Sequence, residues 1–174
     1  MPSGFPHPLP AHELQLTLDE AALVRLAGLL AARLAAGDCV ALSGDLGAGK
    51  TTFARALVRA VLGEPALDVP SPTFALRQDY GGPGCTIVHF DLYRIADARE
   101  LDELGFDETI GNAITVIEWP ERAGDALPRE RIDLHLTESA DVDSRIVTLT
   151  GWGAAAATVA GIEQALARAL PGHV

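Results

Sequence analysis

The chain has 174 residues, 48% of them apolar, and a formal net charge of −11 at pH 7. That length suits one compact domain around a single core. Thirteen Lys and Arg stand against twenty-four Asp and Glu with no basic run, which excludes a surface that grips nucleic acid unaided by neutralising its phosphates.

Residues 1–12 are proline-rich, with neither the positive cluster nor the apolar segment of a signal peptide. A disordered lead is expected there, followed by one domain over 13–174. Glu13 to Leu18 reads as a short first strand. Thr17-Leu-Asp-Glu20 has capping-box spacing, with Thr17 capping an amide three residues on and Glu20 reaching back. The following helix sets Leu23, Leu26, Leu30 and Leu34 on one side before Gly37 ends it. Cys39 to Ser43 is an apolar run of strand length, and Thr51 to Leu62 places Phe53, Leu57, Val58 and Val61 near helical period. Gly63 to Pro72 is rich in breakers. Thr73–Tyr80 and Thr86–Asp91 flank Gly81-Gly82-Pro83-Gly84 and read as an antiparallel hairpin, with Ile87–Asp91 as one half of an exposed hairpin. Ala98–Leu104 suggests a short acidic helix, and Ala113–Ile117 a buried strand closed by Glu118-Trp119-Pro120. Ile132–Leu136 and Arg145–Thr150 form a second hairpin candidate before a final helix over Ala154–Leu170. The economical reading is a single α/β domain of P-loop NTPase type, a mixed sheet flanked by helices with antiparallel hairpins. No apolar run is long enough to cross a membrane. Cys39 and Cys85 lack metal-binding or C-x-x-C spacing, which points to a cytoplasmic protein without a disulfide framework.

The most informative stretch is Gly44-Asp45-Leu46-Gly47-Ala48-Gly49-Lys50-Thr51-Thr52, which fits G-x-x-x-x-G-K-[ST] without a mismatch. Its glycines let consecutive N–H groups converge on one phosphate-sized hollow. Lys50 then reaches β- and γ-phosphate oxygens, the Thr51 hydroxyl ligates Mg²⁺, and the N-terminus of the next helix attracts the anion. The plain alternative is a glycine-rich turn before an ordinary helix, and the strand–loop–helix context weighs against it.

Such a loop needs a carboxylate at the end of a neighbouring apolar strand to orient Mg²⁺ and its waters. Ile114–Glu118 is the more uniformly apolar of two candidates, so Glu118 is expected at the metal; a solvated strand end is the alternative. Asp91, closing Ile87–Asp91, is expected to orient water or a switch segment, or to be a plain hydrogen-bonding acid. The Ser71-Pro72-Thr73 hydroxyls lie where a nucleotide-sensing loop usually sits, although locally a proline turn opening a hairpin is the stronger reading. Trp119 either stacks on a ligand or partner or covers the core edge. His89 reads as a packed, hydrogen-bonded histidine rather than a catalytic one.

No N-K-x-D tetrapeptide is present to read guanine, which points the base towards adenine, and no arginine-rich lid is present as a small-molecule kinase would carry. Arg77, Arg94, Arg99 and Arg122 are scattered. A slow ATPase that depends on a partner fits better than a free-standing kinase, with a small-molecule P-loop kinase as the alternative and a non-hydrolysing nucleotide sensor as a third reading.

Five blocks occur together: Gly44–Thr52, Ser71-Pro-Thr-Phe74, His89-Phe-Asp-Leu-Tyr-Arg94, Glu103-Leu-Gly-Phe106 and Ile117-Glu-Trp-Pro120. In order and spacing they resemble the bacterial TsaE (YjeE) family of tRNA threonylcarbamoyladenosine biosynthesis, from about Leu14 to about Gly151. The resemblance implies a protein that binds ATP and Mg²⁺ and hydrolyses ATP slowly. It implies action with TsaD and TsaB subunits that modify tRNAs reading ANN codons, without transfer of the threonylcarbamoyl group by this chain and with tRNA held through the complex. By matching position, Thr51 and Glu118 should face Mg²⁺, and Asp91 with the Ser71–Thr73 loop should respond to the γ-phosphate and the partner. Trp119 should lie beside the nucleotide, Glu20 near it in competition with its capping-box reading, and Arg145 should border the adenine. The two ends of the chain match no family motif.

Overall fold

The computed structural model describes residues 12–82 and 85–169. β1 (His12–Asp19) alternates half-buried Leu14, Leu16 and Leu18 with exposed Glu13, Gln15 and Thr17, as an edge strand with one covered face should. The expected disordered lead otherwise lies outside the described residues, but His12 belongs to the sheet, opposite Gly151.

The capping box at Thr17 does not form. β1 stays paired with its neighbour through Asp19, so Thr17 sits in the ladder opposite Ile146. The cap of α1 (Glu20–Ala31) is Asp19, whose carboxylate accepts from the Ala22 amide at 2.7 Å. α1 also ends earlier than its leucine spacing suggested; Leu34 lies beyond it, partly buried against the core.

β2 (Cys39–Gly44) leads through the glycine loop into α2 (Lys50–Leu62). β3 (Arg77–Gly82) and β4 (Cys85–Asp91) form the expected hairpin, but β3 starts at Arg77 rather than Thr73. The Leu76 amide closes a turn onto the Pro72 carbonyl, with Leu76 held at φ +64°, so the ladder cannot begin sooner. Gly81 and Gly82 extend the ladder, and Pro83-Gly84 lie outside the described residues. α3 (Arg99–Glu103) is the expected acidic helix; α4 (Phe106–Thr109), unforeseen, follows it. β5 (Ile114–Glu118) is entirely buried. β6 (Arg131–Glu138) and β7 (Ser144–Trp152) make the second hairpin, and α5 (Ala155–Ala169) closes the described chain.

The seven strands lie in the order β1-β7-β6-β2-β5-β4-β3. β6, β2, β5 and β4 are parallel to one another, while β1, β7 and β3 add antiparallel edges. One face packs Leu42, Ile87, Val116 and Leu134 against α1, α2 and α5 through Leu30, Phe53, Leu57 and Ile162. The other face packs Val88, Phe90 and Ile117 against Leu101 and Phe106, with the Phe90 and Phe106 rings 5.1 Å apart. β4 is therefore not half of an exposed hairpin; Ile87 through Asp91 are all buried, because β5 and β3 flank it and both faces are covered. No helix among the described residues is long and apolar enough to cross a membrane.

Candidate functional site

In a parallel sheet the strand ends that face one side gather the loops that can bind a ligand. Here the carboxyl ends of β2, β5 and β4 are neighbours: Leu42 is opposite Glu118, and Glu118 is opposite Asp91. The glycine loop and both candidate carboxylates thus meet at one edge. They border a cleft of about 300 Å³ together with Thr51, Ser71, Thr73, Tyr93 and Trp119.

The loop's shape depends on backbone angles open to glycine. Gly44 sits at φ +139°, and a Cβ there would lie 2.4 Å from the Leu136 carbonyl oxygen. Gly49, at φ +109°, turns the chain into α2. The curl leaves Leu46 82% exposed at its tip and Ala48 buried at its base. Asp45 contributes its backbone rather than its carboxylate: its carbonyl accepts from the Ala48 amide and from Lys50 Nζ.

Lys50 is buried. Its ammonium donates to the carbonyls of Gly44 (2.6 Å) and Asp45 (2.8 Å) and lies 3.9 Å from the Trp119 ring centre. Burial pushes its pKa below the usual lysine value, and the negative charge of Glu118 is the largest influence opposing that.

Glu118 is 2% exposed, so it is not a solvated strand end. The Thr51 hydroxyl donates to its Oε2 at 2.9 Å, and His89 Nε2 lies 2.8 Å from its Oε1. Asp91 is buried too. Its Oδ2 accepts from Ser71 Oγ and Thr73 Oγ1, each at 3.1 Å, and its Oδ1 accepts from the Tyr93 amide at 3.0 Å. Ser71-Pro72-Thr73 forms a turn ahead of β3, and Ser71 and Thr73 lie on the cleft wall. Thr51, Glu118 and Asp91 offer only oxygen donors, the chemistry a hard cation such as Mg²⁺ requires, and the loop supplies a nest of amides for phosphate.

Trp119 carries a left-handed backbone at φ +58°, ψ +52°, a conformation costing a non-glycine residue about 1–2 kcal/mol. That turn lays its indole over Lys50 and 4.9 Å from the Tyr93 ring. A second opening of about 270 Å³ lies across the loop from the first. It joins Glu20, Leu23, Gly47, Ala48, Gly49, Thr52, Val142 and Arg145. Glu20, the first residue of α1, and Arg145, whose guanidinium donates to the Val142 and Ser144 carbonyls, therefore face the same loop from outside.

Sequence reasoning missed three partnerships: His89 with Glu118, Ser71 and Thr73 with Asp91, and Tyr93 with Trp119. For the first two the sequence shows only that His89 and Asp91 share one face of β4, not which distant residues meet that face.

A family model described as "Threonylcarbamoyl adenosine biosynthesis protein TsaE" matches residues 17–147, an interval that includes every site residue above. The "tRNA threonylcarbamoyladenosine biosynthesis protein TsaE" of Rickettsia conorii is 41% identical over 125 residues, 72% of this chain and 70% of that protein. Its namesake in Bacillus subtilis is 37% identical over 129 residues, 74% of this chain and 78% of that one. Among solved structures, Bacillus subtilis YdiB aligns with a TM-score of 0.71 at 27% identity, covering 88% of this chain and 95% of that chain.

Proposed function

The chain belongs to the TsaE family of threonylcarbamoyladenosine biosynthesis, and from that premise we propose that it is the pathway's ATP-binding, slowly hydrolysing ATPase. It works with TsaD and TsaB to permit repeated modification of tRNAs reading ANN codons, and does not itself transfer the threonylcarbamoyl group.

The phosphates sit on the loop amides and the N-terminus of α2, and Lys50 exchanges its two carbonyl acceptors for phosphate oxygens. Thr51 and Glu118 would hold Mg²⁺, which when bound neutralises charge on the β- and γ-phosphates. Asp91, fixed by three donors, orients the attacking water and links the Ser71–Thr73 loop to the γ-phosphate side. Glu20, Thr52 and Arg145 border the nucleoside across the loop, and Trp119 closes the phosphate side over Lys50.

One observation carries the slow, partner-dependent part of this reading: Lys50 is the only Lys or Arg among the described residues lining the phosphate cleft. Arg77 is held by Asp79 and the Leu104 carbonyl, Arg99 by Asp97, and Arg94 lies over the exposed Phe74 ring. Transition-state charge then lacks the arginine that accelerates related phosphoryl transfers by about 10³–10⁵. Hydrolysis by the isolated protein should be weak and should rise when TsaD–TsaB and tRNA are added. Rates unchanged by those partners, or phosphate transfer to a small metabolite without them, would defeat the proposal.

A further inference from the structure

We infer that His89 is a positioning residue for the metal-binding carboxylate, presenting Glu118 to Thr51 and Mg²⁺ in one fixed orientation; the inference rests on the nucleotide-and-magnesium reading above. His89 is fully buried, and Glu118 is 2% exposed. A carboxylate withdrawn from water this far needs hydrogen bonds at both oxygens. It has them, and they divide by role. Oε2 turns to Thr51, whose hydroxyl opens towards the cleft, and Oε1 turns inward to His89 Nε2 at 2.8 Å. The two side chains come from adjacent parallel strands in fixed register, with His89 opposite Val116 and Glu118 two residues beyond it on the same face.

The other imidazole nitrogen identifies the proton-bearing atom. Nδ1 is buried with no hydrogen-bond partner. A carboxylate oxygen can only accept, so Nε2 is the donor. A proton on Nδ1 would then be an orphaned buried N–H, which is rarer and more costly than an unused lone pair. His89 is therefore the Nε2–H tautomer, a donor that cannot turn away and that leaves Oε2 to the cleft. Hydrogen-bond partners behind a metal-ligating carboxylate fix its orientation, and their loss costs about 10–100-fold in metal affinity or activity.

The test measures binding rather than turnover. Affinity for a non-hydrolysable ATP analogue is titrated with Mg²⁺ and with EDTA for the full-length wild type, His89→Met and His89→Gln. Met fills the space without a donor, whereas the Gln amide restores one. The expected result is a roughly tenfold smaller tightening by Mg²⁺ in H89M, with Mg²⁺-free affinity within about twofold of wild type and most of the tightening recovered in H89Q. Equal loss in both variants, or wild-type tightening in H89M, overturns the inference. A wild type that binds no ATP analogue at all overturns the nucleotide reading instead. Should H89M fail to fold, a long-range ¹⁵N–¹H spectrum of the wild-type imidazole decides: a proton on Nε2 is required, and its absence overturns the inference.

Discussion

The two ends of the sheet hold polar clusters of opposite design. At the amino end of β6, Arg131 and Asp133 are mutually satisfied. Arg131 donates to both carboxylate oxygens at 2.7 and 3.1 Å and to the Pro128 carbonyl, and the Trp152 indole N–H completes Asp133 at 2.6 Å. At the carboxyl ends of β4 and β5, two more deeply buried carboxylates face only hydroxyls, one backbone amide and an imidazole. Among the described residues no lysine or arginine forms an ion pair with Asp91 or Glu118, and the nearby ammonium of Lys50 spends its protons on carbonyls. Charges closed on each other hold a fold together; charges left to neutral donors are held for something that binds.

The largest expected effects should therefore appear at the carboxyl end, in function rather than stability. Lys50→Ala should reduce ATP hydrolysis by at least about 10²-fold, as removal of one charge-stabilising donor does. Glu118→Gln should reduce it comparably while leaving the melting temperature within about 2 °C or raising it. The amide oxygen can keep His89, its NH₂ can donate to Thr51, and the burden of a desolvated charge disappears. A large drop in melting temperature for Glu118→Gln would erase the distinction between the two ends.

Asp133→Ala should do the reverse. It leaves a half-buried guanidinium and an indole N–H without their acceptor, a loss of about 2 kcal/mol and a fall of roughly 5 °C in melting temperature, with hydrolysis per folded molecule unchanged. A thermal melt beside an ATPase assay separates these outcomes. Activity falling with stability would tie the two ends together.

The same division governed what could be read from sequence. The phosphate loop, the buried strand ending in Glu118 and the β6–β7 hairpin were legible, because each is set by local spacing. β4 was not: His89 and Asp91 alternate with Val88 and Phe90 and imitate a solvent-facing edge. That polar face is instead turned inward onto Glu118, Ser71 and Thr73, partners 18 to 29 residues away that no local pattern displays. Thr17–Glu20 fitted a capping box, but the ladder to β7, more than 120 residues on, holds Thr17 extended. Arg77 gives no local hint that Leu76 before it adopts a left-handed turn. At β1 and β4 long-range pairing has overruled a correct local rule, whereas at β3 a local turn has done so.

The smallest expected effect separates the ends by the sign of their response to alkali. Cys39, at the amino end of β2, is 2% exposed, and burial pushes its pKa from 9.0 to about 12, while the smaller influences of Arg131 and Asp133 oppose each other. The folded chain therefore holds this proton more tightly than the unfolded one. The resulting stability is complete below pH 9 and is lost as pH rises from 9 towards 12. Lys50, at the other end, is shifted below 10.5 by burial, so the unfolded chain holds that proton more tightly and its contribution to stability grows as pH approaches 10.5 from below. Urea midpoints measured from pH 8 to 11 should then decline less steeply in Cys39→Ala than in wild type, and more steeply in Lys50→Met. Parallel curves for all three proteins would mean that neither group titrates differently in the fold. The two variants bending the same way would mean that the ends of the sheet do not differ in how they hold charge.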